Sequence, residues 1–206
     1  MDKPTFNKRP WADAGMHPMR VRDEVIVLCR DRVEPSWKRK LRALLHSHMV
    51  RKLKLAEAGE GFQWAPNEAI VGARFGRYAS IGHSGCFHGP VVVGDLTMIS
   101  TEVQVIGNDH LIGDAEVPMR YNFPSTPRPV TVIESDVWIG SRVTIMEGVR
   151  IGRGSVIGSN AMVTRDIPPY SVAMGIPARV VRPRFTQEEQ DRADLFLYGK
   201  VLRARD

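Results

Sequence analysis

Large apolar residues recur every six positions through the middle of this chain. They are Phe75, Ile81, Phe87, Val93, Ile99 and Val105 and, after a gap, Ile133, Ile139, Ile145, Ile151, Ile157 and Val163. Four positions after the large residue stand Val91, Val103, Val137, Val143 and Val149, or the smaller Ala79, Gly85, Ser155 and Ala161. Glycine follows the large residue at Gly82, Gly94, Gly140, Gly152 and Gly158. Six is not a multiple of the helical period, and no heptad is present. Regular glycines also argue against long unbroken strands. The pattern predicts a short strand, a tight corner and another short strand. The large residue fills the axis of a triangular prism, and each strand stacks on its counterpart one coil below. Glycine is expected where the corner needs φ > 0 or a close backbone approach.

Between Val105 and Ile133 lie 28 positions (133 − 105) where six would continue the repeat, which leaves 22 extra residues. They include Asn108-Asp109-His110 and the prolines Pro118, Pro124, Pro127 and Pro129. A long loop on a rigid scaffold is commonly functional. Its Tyr121 and Phe123 indicate that it packs against something, a second subunit being one candidate. Upstream, residues 36–59 are expected to form a helix, capped by Ser36, ended by Gly59 and striped with Leu41, Leu44, Leu45, Met49, Leu53 and Ala56. Downstream, Thr186-Gln187-Glu188-Glu189 is a capping box for a short helix running toward Tyr198, expected to cover the open end of the prism or a neighbour. Residues 1–35 fit strand or loop equally well. The predicted division is an N-terminal segment with a basic helix (1–66), a β-helical domain (67–184, loop 106–131) and a C-terminal helix (185–206).

A chain that is 43% hydrophobic and 25% charged can bury one core and is of the soluble globular kind. Its net charge of +6 suits anionic partners: nucleic acid, an anionic membrane surface or phosphorylated small molecules. Cys29 and Cys86 lack CxxC spacing and are too few for a disulfide framework, which fits a reducing cytosol. Met1-Asp2-Lys3-Pro4 does not lead into an apolar leader, and residues 25–29 are too short to cross a bilayer. A soluble, cytoplasmic protein is therefore expected. Lys38, Arg39, Lys40, Arg42, Arg51, Lys52 and Lys54 line the predicted helix over 36–58. That basic face is a solvated surface or a weak membrane-surface dock. Without a reader motif or interleaved aromatics, no nucleic-acid partner is expected.

Three motifs carry a resemblance: Val137-Trp138-Ile139-Gly140-Ser141, Val163-Thr164-Arg165-Asp166-Ile167-Pro168 and Gly175-Ile176-Pro177-Ala178-Arg179-Val180-Val181-Arg182. Residues 70–182 resemble the hexapeptide-repeat acyltransferases, in the branch of galactoside, maltose and polysaccharide O-acetyltransferases and xenobiotic acetyltransferases. The N-terminal third does not share the likeness. The resemblance implies a mainly β fold, a left-handed parallel β-helix with a projecting loop, against the usual right-handed crossover. It also implies a homotrimer with active sites between prisms, and acetyl-CoA as co-substrate with no metal. His110, where the repeat breaks, matches the family's general base; neutral imidazole has a suitable pKa for taking a hydroxyl proton. For coenzyme A the matching positions are Trp138 beside the thioester, Ser141 and Ala161 offering backbone groups to the pantetheine arm, and Thr164. Arg165, Arg179 and Arg182 would hold the phosphates. Asn108 and Asp109 are turn formers that can also contact the acceptor, and His83 is placed near the acceptor pocket. The implied reaction is acetyl transfer to a hydroxyl of a sugar or saccharide. N-acetylation of an amino sugar and a xenobiotic acceptor are the alternatives.

One segment resembles another family. His83 and His88, five apart in Ile81-Gly82-His83-Ser84-Gly85-Cys86-Phe87-His88-Gly89, look like the metal-binding coil of γ-class carbonic anhydrases. Residues 60–82 supply neither a third histidine nor the Arg-x-Asp signature of that family. A β-helix that only binds or scaffolds is the remaining non-enzymatic reading.

Overall fold

The computed structural model describes residues 18–33, 35–65, 70–107 and 110–203. Most strands are two or three residues long and stack into three sheets. The first sheet holds Glu57–Ala58, Arg74–Phe75, Val91–Val93, Thr131–Ile133 and Arg150–Ile151. The second holds Gln63–Trp64, Ser80–Ile81, Met98–Ile99, Trp138–Ile139, Val156–Ile157 and Ser171–Gly175, with Ala178–Pro183 antiparallel at its edge. The third holds Cys86–Phe87, Gln104–Ile106, Thr144–Met146 and Met162–Val163. All other pairings are parallel. The chain visits the sheets in turn, so the fold is mainly β, a three-sided parallel helix.

Register shows how the hexads become coils. Phe75 pairs with Val93, Ile81 with Ile99 and Phe87 with Val105, each 18 residues on. Across the insertion the partners are Val93 and Ile133, Ile99 and Ile139, Val105 and Ile145, each 40 residues on. The difference, 40 − 18 = 22, is the extra length counted from the repeat. The ladders therefore close over the insertion without a slip. The hexad residues fill the interior, with Ile133, Ile139, Ile145 and Ile151 fully buried, and Phe62, Phe75 and Phe87 pack ring on ring in the first coils.

Of the two roles expected of glycine, the hexad glycines take the close backbone approach. The left-handed positions at the first corner belong to Tyr78, Leu96, Asp136, Gly154 and Tyr170, and at the second to Ser84, Glu102, Arg142 and Asn160, so glycine takes only one of these corner positions. In that conformation the corner N–H reaches back to the coil below: Leu96 to the Arg77 carbonyl (2.8 Å), Asp136 to Asp95 (3.0 Å), Glu102 to His83 (2.9 Å) and Asn160 to Ser141 (2.9 Å). The hexad glycines answer close approach instead. A Cβ on Gly94 would lie 2.5 Å from the Ser135 nitrogen, and one on Gly140 2.6 Å from the Ser159 nitrogen.

The flanking helices correct several expectations. A helix over Asp23–Val33 (α1) occupies part of the segment that sequence left open. The basic helix (α2) runs Ser36–Lys52, with Pro35 rather than Ser36 at its N-cap and Leu53 rather than Gly59 at its end. It stops there because Glu57–Ala58 already pairs with Arg74–Phe75, so the tube begins at Glu57, not at 67. The apolar stripe is split: Met49 and Val50 pack with Leu53 and Leu55 on the first coils, whereas Leu41 and Leu44 face outward, 51% and 79% exposed. The C-terminal helix (α3, Gln187–Tyr198) carries the capping box, Thr186 Oγ1 accepting from the Glu189 N–H. It lies along the first corner rather than over an open end. There Val21, Val25, Ile26, Tyr78 and Leu197 form a second cluster. Arg153 donates to both oxygens of Asp194 (2.7 and 2.8 Å), and the Tyr170 hydroxyl donates to the same carboxylate (2.6 Å). Arg77 similarly ties Asp95 to the carbonyl of Val21. Among the described residues no helix is long and apolar enough to cross a membrane.

Two stability predictions follow from this packing. Ile145→Ala opens a void in the middle of the tube and is expected to cost about 2–5 kcal/mol in denaturant unfolding. Burial alone would raise the pKa of Asp194, but the hydrogen bonds from Arg153, Tyr170 and the Leu202 N–H together outweigh it and hold the carboxyl below its usual range. A depressed folded pKa adds stability above the unfolded value, lost as pH falls below about 4. Asp194→Asn should lower neutral-pH stability by about 3–5 kcal/mol, because it leaves Arg153 facing an amide, and should flatten the acid limb of the thermal profile. An unchanged acid limb would place the acid sensitivity elsewhere.

Candidate active site

The projecting loop leaves the tube at the third corner, between the third and first sheets. Its root is built from coils on either side. Register stacks His88 below Ile106, Met146 above it and Thr164 above that, because Phe87, Val105, Ile145 and Val163 are laddered. Gly107, with φ +148°, turns the chain outward, and the Glu147 N–H holds the Ile106 carbonyl at 2.9 Å. Arg128 closes the returning stem. Its Nη1 lies 3.2 Å from the His88 carbonyl, 3.4 Å from that of Gly107 and 3.1 Å from Glu147 Oε1, whose side chain is only 1% exposed. One guanidinium thus fastens both ends of the loop to the tube.

Within the loop, the Leu111 N–H donates to the Asn122 carbonyl at 2.7 Å and folds the segment back on itself. This places the exposed His110 ring 4.7 Å from Phe123 at 43°. Asn108 and Asp109, the expected acceptor contacts, lie outside the described residues. Thr164 and Arg165 are exposed on the same corner as the loop root.

The other expected residues stand elsewhere. Ser141 is at the second corner, its Oγ 3.4 Å from Thr101 Oγ1. His83 shares that corner, two coils lower, with Nδ1 3.2 Å from Ser84 Oγ. His83 is thus a coil-corner residue, and within one chain the laddered partners of Ile81 set it on a different edge of the prism from His110. Ala161 is buried, and its carbonyl accepts from the Thr144 N–H while that of Ser141 accepts from Asn160. Trp138 stands half-exposed on the outer face of the second sheet beside Met98 and Val156. Arg179 and Arg182 project from the edge strand of that sheet, their Nη1 atoms donating to the carbonyls of Ala178 and Pro183.

The second sheet is the side of the prism opposite the third corner. A single chain therefore separates His110, Thr164 and Arg165 from Trp138, Arg179 and Arg182. Each group carries exposed apolar residues: Ile112, Met119, Tyr121 and Phe123 on the loop, and Met98, Trp138, Ile176 and Val181 on and beyond the sheet. A cavity of about 490 Å³ between residues 18–20 and the first sheet is lined by Arg74, Arg77 and Asp95 and contains none of these groups. No cluster of three or more His, Cys, Asp or Glu side chains suited to a metal occurs among the described residues.

Sequence reasoning missed the fastening of the loop. The six-count already puts His88 one coil below Ile106, so its place at the root was available. Arg128 and Glu147 gave no such signal, since a lone arginine between prolines and an acidic turn residue resemble ordinary surface positions.

Residues 131–165 match the family model described as bacterial transferase hexapeptide (six repeats). A chloramphenicol acetyltransferase of Escherichia coli is 56% identical over 59 residues, 29% of this chain and 28% of that protein. The galactoside O-acetyltransferase of Escherichia coli (strain K12) is 42% identical over 92 residues, 45% of this chain and 43% of that one. The alignments thus span less than half the length of these curated relatives. Among solved structures, a hexapeptide-repeat-containing acetyltransferase from Vibrio cholerae O1 biovar eltor, complexed with acetyl-CoA, is 25% identical. It superposes with a TM-score of 0.55 over 72% of this chain and 85% of that one. The galactoside acetyltransferase solved with coenzyme A gives the same identity and TM-score over 81% of each chain.

Arg128→Ala is expected to loosen both stems at once. Removing the charged donor should cost about 1.5–3 kcal/mol in thermal unfolding and should speed limited proteolysis within residues 107–128. Arg128→Lys should recover part of the protection. Proteolysis at the native rate in the alanine variant would show that the loop is fastened by other contacts.

Proposed function

We propose that this chain is an acetyltransferase that moves the acetyl group of acetyl-CoA to a hydroxyl of a sugar or saccharide, in clefts between copies of the chain. The carrying observation is the separation of the loop with His110 from the arginine-bearing edge of the second sheet, with exposed apolar residues on both. The loop of one copy laid against the second sheet of the next would complete a site and cover both patches. Such a contact is heterologous, and it closes into a ring when the rotation permits. A homotrimer of left-handed prisms is the closed form we propose, with the tube from Glu57 onward as its catalytic unit and the cytoplasm as its setting. The likeness to enzymes solved with acetyl-CoA or coenzyme A, at 25% identity, supports the donor.

In this reading the thioester lies along the second sheet of one copy. Arg179 and Arg182 meet the coenzyme's phosphates with their planar forks, Trp138 flanks the reactive end, and Ser141 lines the arm. His110 from the neighbouring loop accepts the proton of the acceptor hydroxyl as its oxygen attacks the thioester carbonyl. The negative oxygen of the tetrahedral adduct needs a donor, which a backbone N–H can supply. When the C–S bond breaks, the imidazolium returns the proton to the leaving thiolate. The products are an acetyl ester and free coenzyme A, with no acyl group passing through Cys29 or Cys86. The tilted contact with Phe123 restricts the ring orientations available to His110, and Asn108 and Asp109 sit in sequence where they can touch the acceptor.

A xenobiotic hydroxyl is the second reading, favoured by the 56% identity to a chloramphenicol acetyltransferase over 59 residues. A panel of sugars and chloramphenicol, incubated with acetyl-CoA while thiol release is followed, separates the two. No thiol release above background with any acceptor would reject the transferase reading.

His110→Ala should lower turnover by about a hundredfold or more while CoA affinity is kept. Arg179→Ala should chiefly raise the KM for acetyl-CoA. Because the two residues would come from different copies, subunits of the two variants exchanged in equal amounts, assayed at acetyl-CoA far below the KM of Arg179→Ala so that both variants alone are nearly silent, should regain about a quarter of the native sites in a three-membered ring. Mixtures no more active than the separate variants would place both residues in one chain's site.

A further inference from the structure

The outward face of α2 is not used by the proposed chemistry. Its seventeen residues include Lys38, Arg39, Lys40, Arg42, Arg51 and Lys52 and no acidic residue. One side packs on the tube through Met49 and Val50, with Arg42 lying over Trp64 at 5.2 Å. At 100° per residue, Trp37, Leu41, Leu44 and Leu45 fall together on the opposite side. They are 62%, 51%, 79% and 42% exposed. Further along the helix exposed His48 and Lys52 fall within this sector, Lys38 lies beside it, and Lys40 and Arg51 border it. No residue of the helix is buried.

We propose that this face of α2 docks on an anionic lipid bilayer. An outward Trp and three Leu cost free energy in water and regain it when set into the headgroup boundary. The indole of Trp37 suits that depth, being apolar in body with one polar N–H. The flanking ammonium and guanidinium groups then meet lipid phosphates, while the absence of any carboxylate removes repulsion. Charge alone would also suit a nucleic acid, but that partner gives the leucines nothing to bury in. Since the inner side of the helix holds the first coils, the helix can lie flat on a surface without disturbing the tube. This docking does not rest on acetyl transfer and is measured without donor or acceptor.

The full chain is mixed with vesicles of phosphatidylcholine alone or with about one-third phosphatidylglycerol, and partitioning is read by sedimentation. Binding is expected only with the anionic vesicles, and about 1 M salt should weaken it strongly. Replacing Lys38, Lys40, Arg51 and Lys52 by Gln should weaken binding by about fivefold per residue. Leu41→Ser with Leu44→Ser, at exposed positions that leave the fold intact, should weaken it by about tenfold. The blue shift of tryptophan emission on binding should disappear in Trp37→Phe. No partitioning to anionic vesicles overturns the proposal. So does binding indifferent to the leucine replacements, which would mark simple polyanion adsorption, nucleic acid included. A change of particle mass in light scattering of the leucine variant without vesicles also overturns it, by making the face a contact between copies.

Discussion

A strand of two residues cannot satisfy its own backbone, and the whole molecule is built on where those groups find partners. Each short strand bonds to its counterparts one coil below and above, so the vertical register is the fold. The chain can turn through three corners per coil only if the corner N–H groups also point along the stack. That demand puts Tyr78, Leu96, Asp136 and Tyr170 into a left-handed conformation that side chains usually avoid. The hydrogen bonds to the preceding corner, as from Leu96 to Arg77, hold them there. Inside, the same stack sets one large aliphatic side chain over another, and cavities there have no flexible element to close them.

Three sides also decide what one chain can bring together. A residue's side or corner is fixed by its place in the count, whatever its distance in sequence. His110 rises from the corner facing away from the sheet that carries Trp138 and Arg179, and no loop adjustment alters that relation. The first corner is occupied differently: Arg77 with Asp95, and Arg153 with Asp194 and Tyr170, bind both terminal helical segments to it. Among the described residues, α1 and α3 are thus held at the first corner, while α2 reaches only the first strand of the second sheet, with Arg42 over Trp64.

The tube was legible because its signal is arithmetic. Twelve apolar positions at one spacing predicted the coils, and the surplus of 22 predicted where the ladder jumps from Val93 to Ile133. The capping box at Thr186 was equally plain, since its partners lie three residues apart. What failed depends on distant contacts. The end of α2 is set not by Gly59 but by the pairing of Glu57 with Arg74, and its leucines were merged into one stripe though Met49 and Leu44 face opposite ways. The hexad glycines were legible as special positions, and of the two causes expected for them the close approach of the adjacent coil is the one that applies. His110 was singled out by its place at the break, whereas Arg128 and Glu147 become informative only when both stems are seen together. The likeness at Trp138 and Arg179 named candidates without revealing that they and His110 stand on different sides.

The insertion enters and leaves without shifting any ladder: Val92 stacks on Val132 as if the intervening residues were absent. Scaffold and appendage are thus separable in length and in composition. Natural variation can lengthen, shorten or replace the appendage while the prism keeps folding by the same count. Under the function proposed above, acceptor choice would then rest on an interchangeable attachment at one vertex of a fixed chassis.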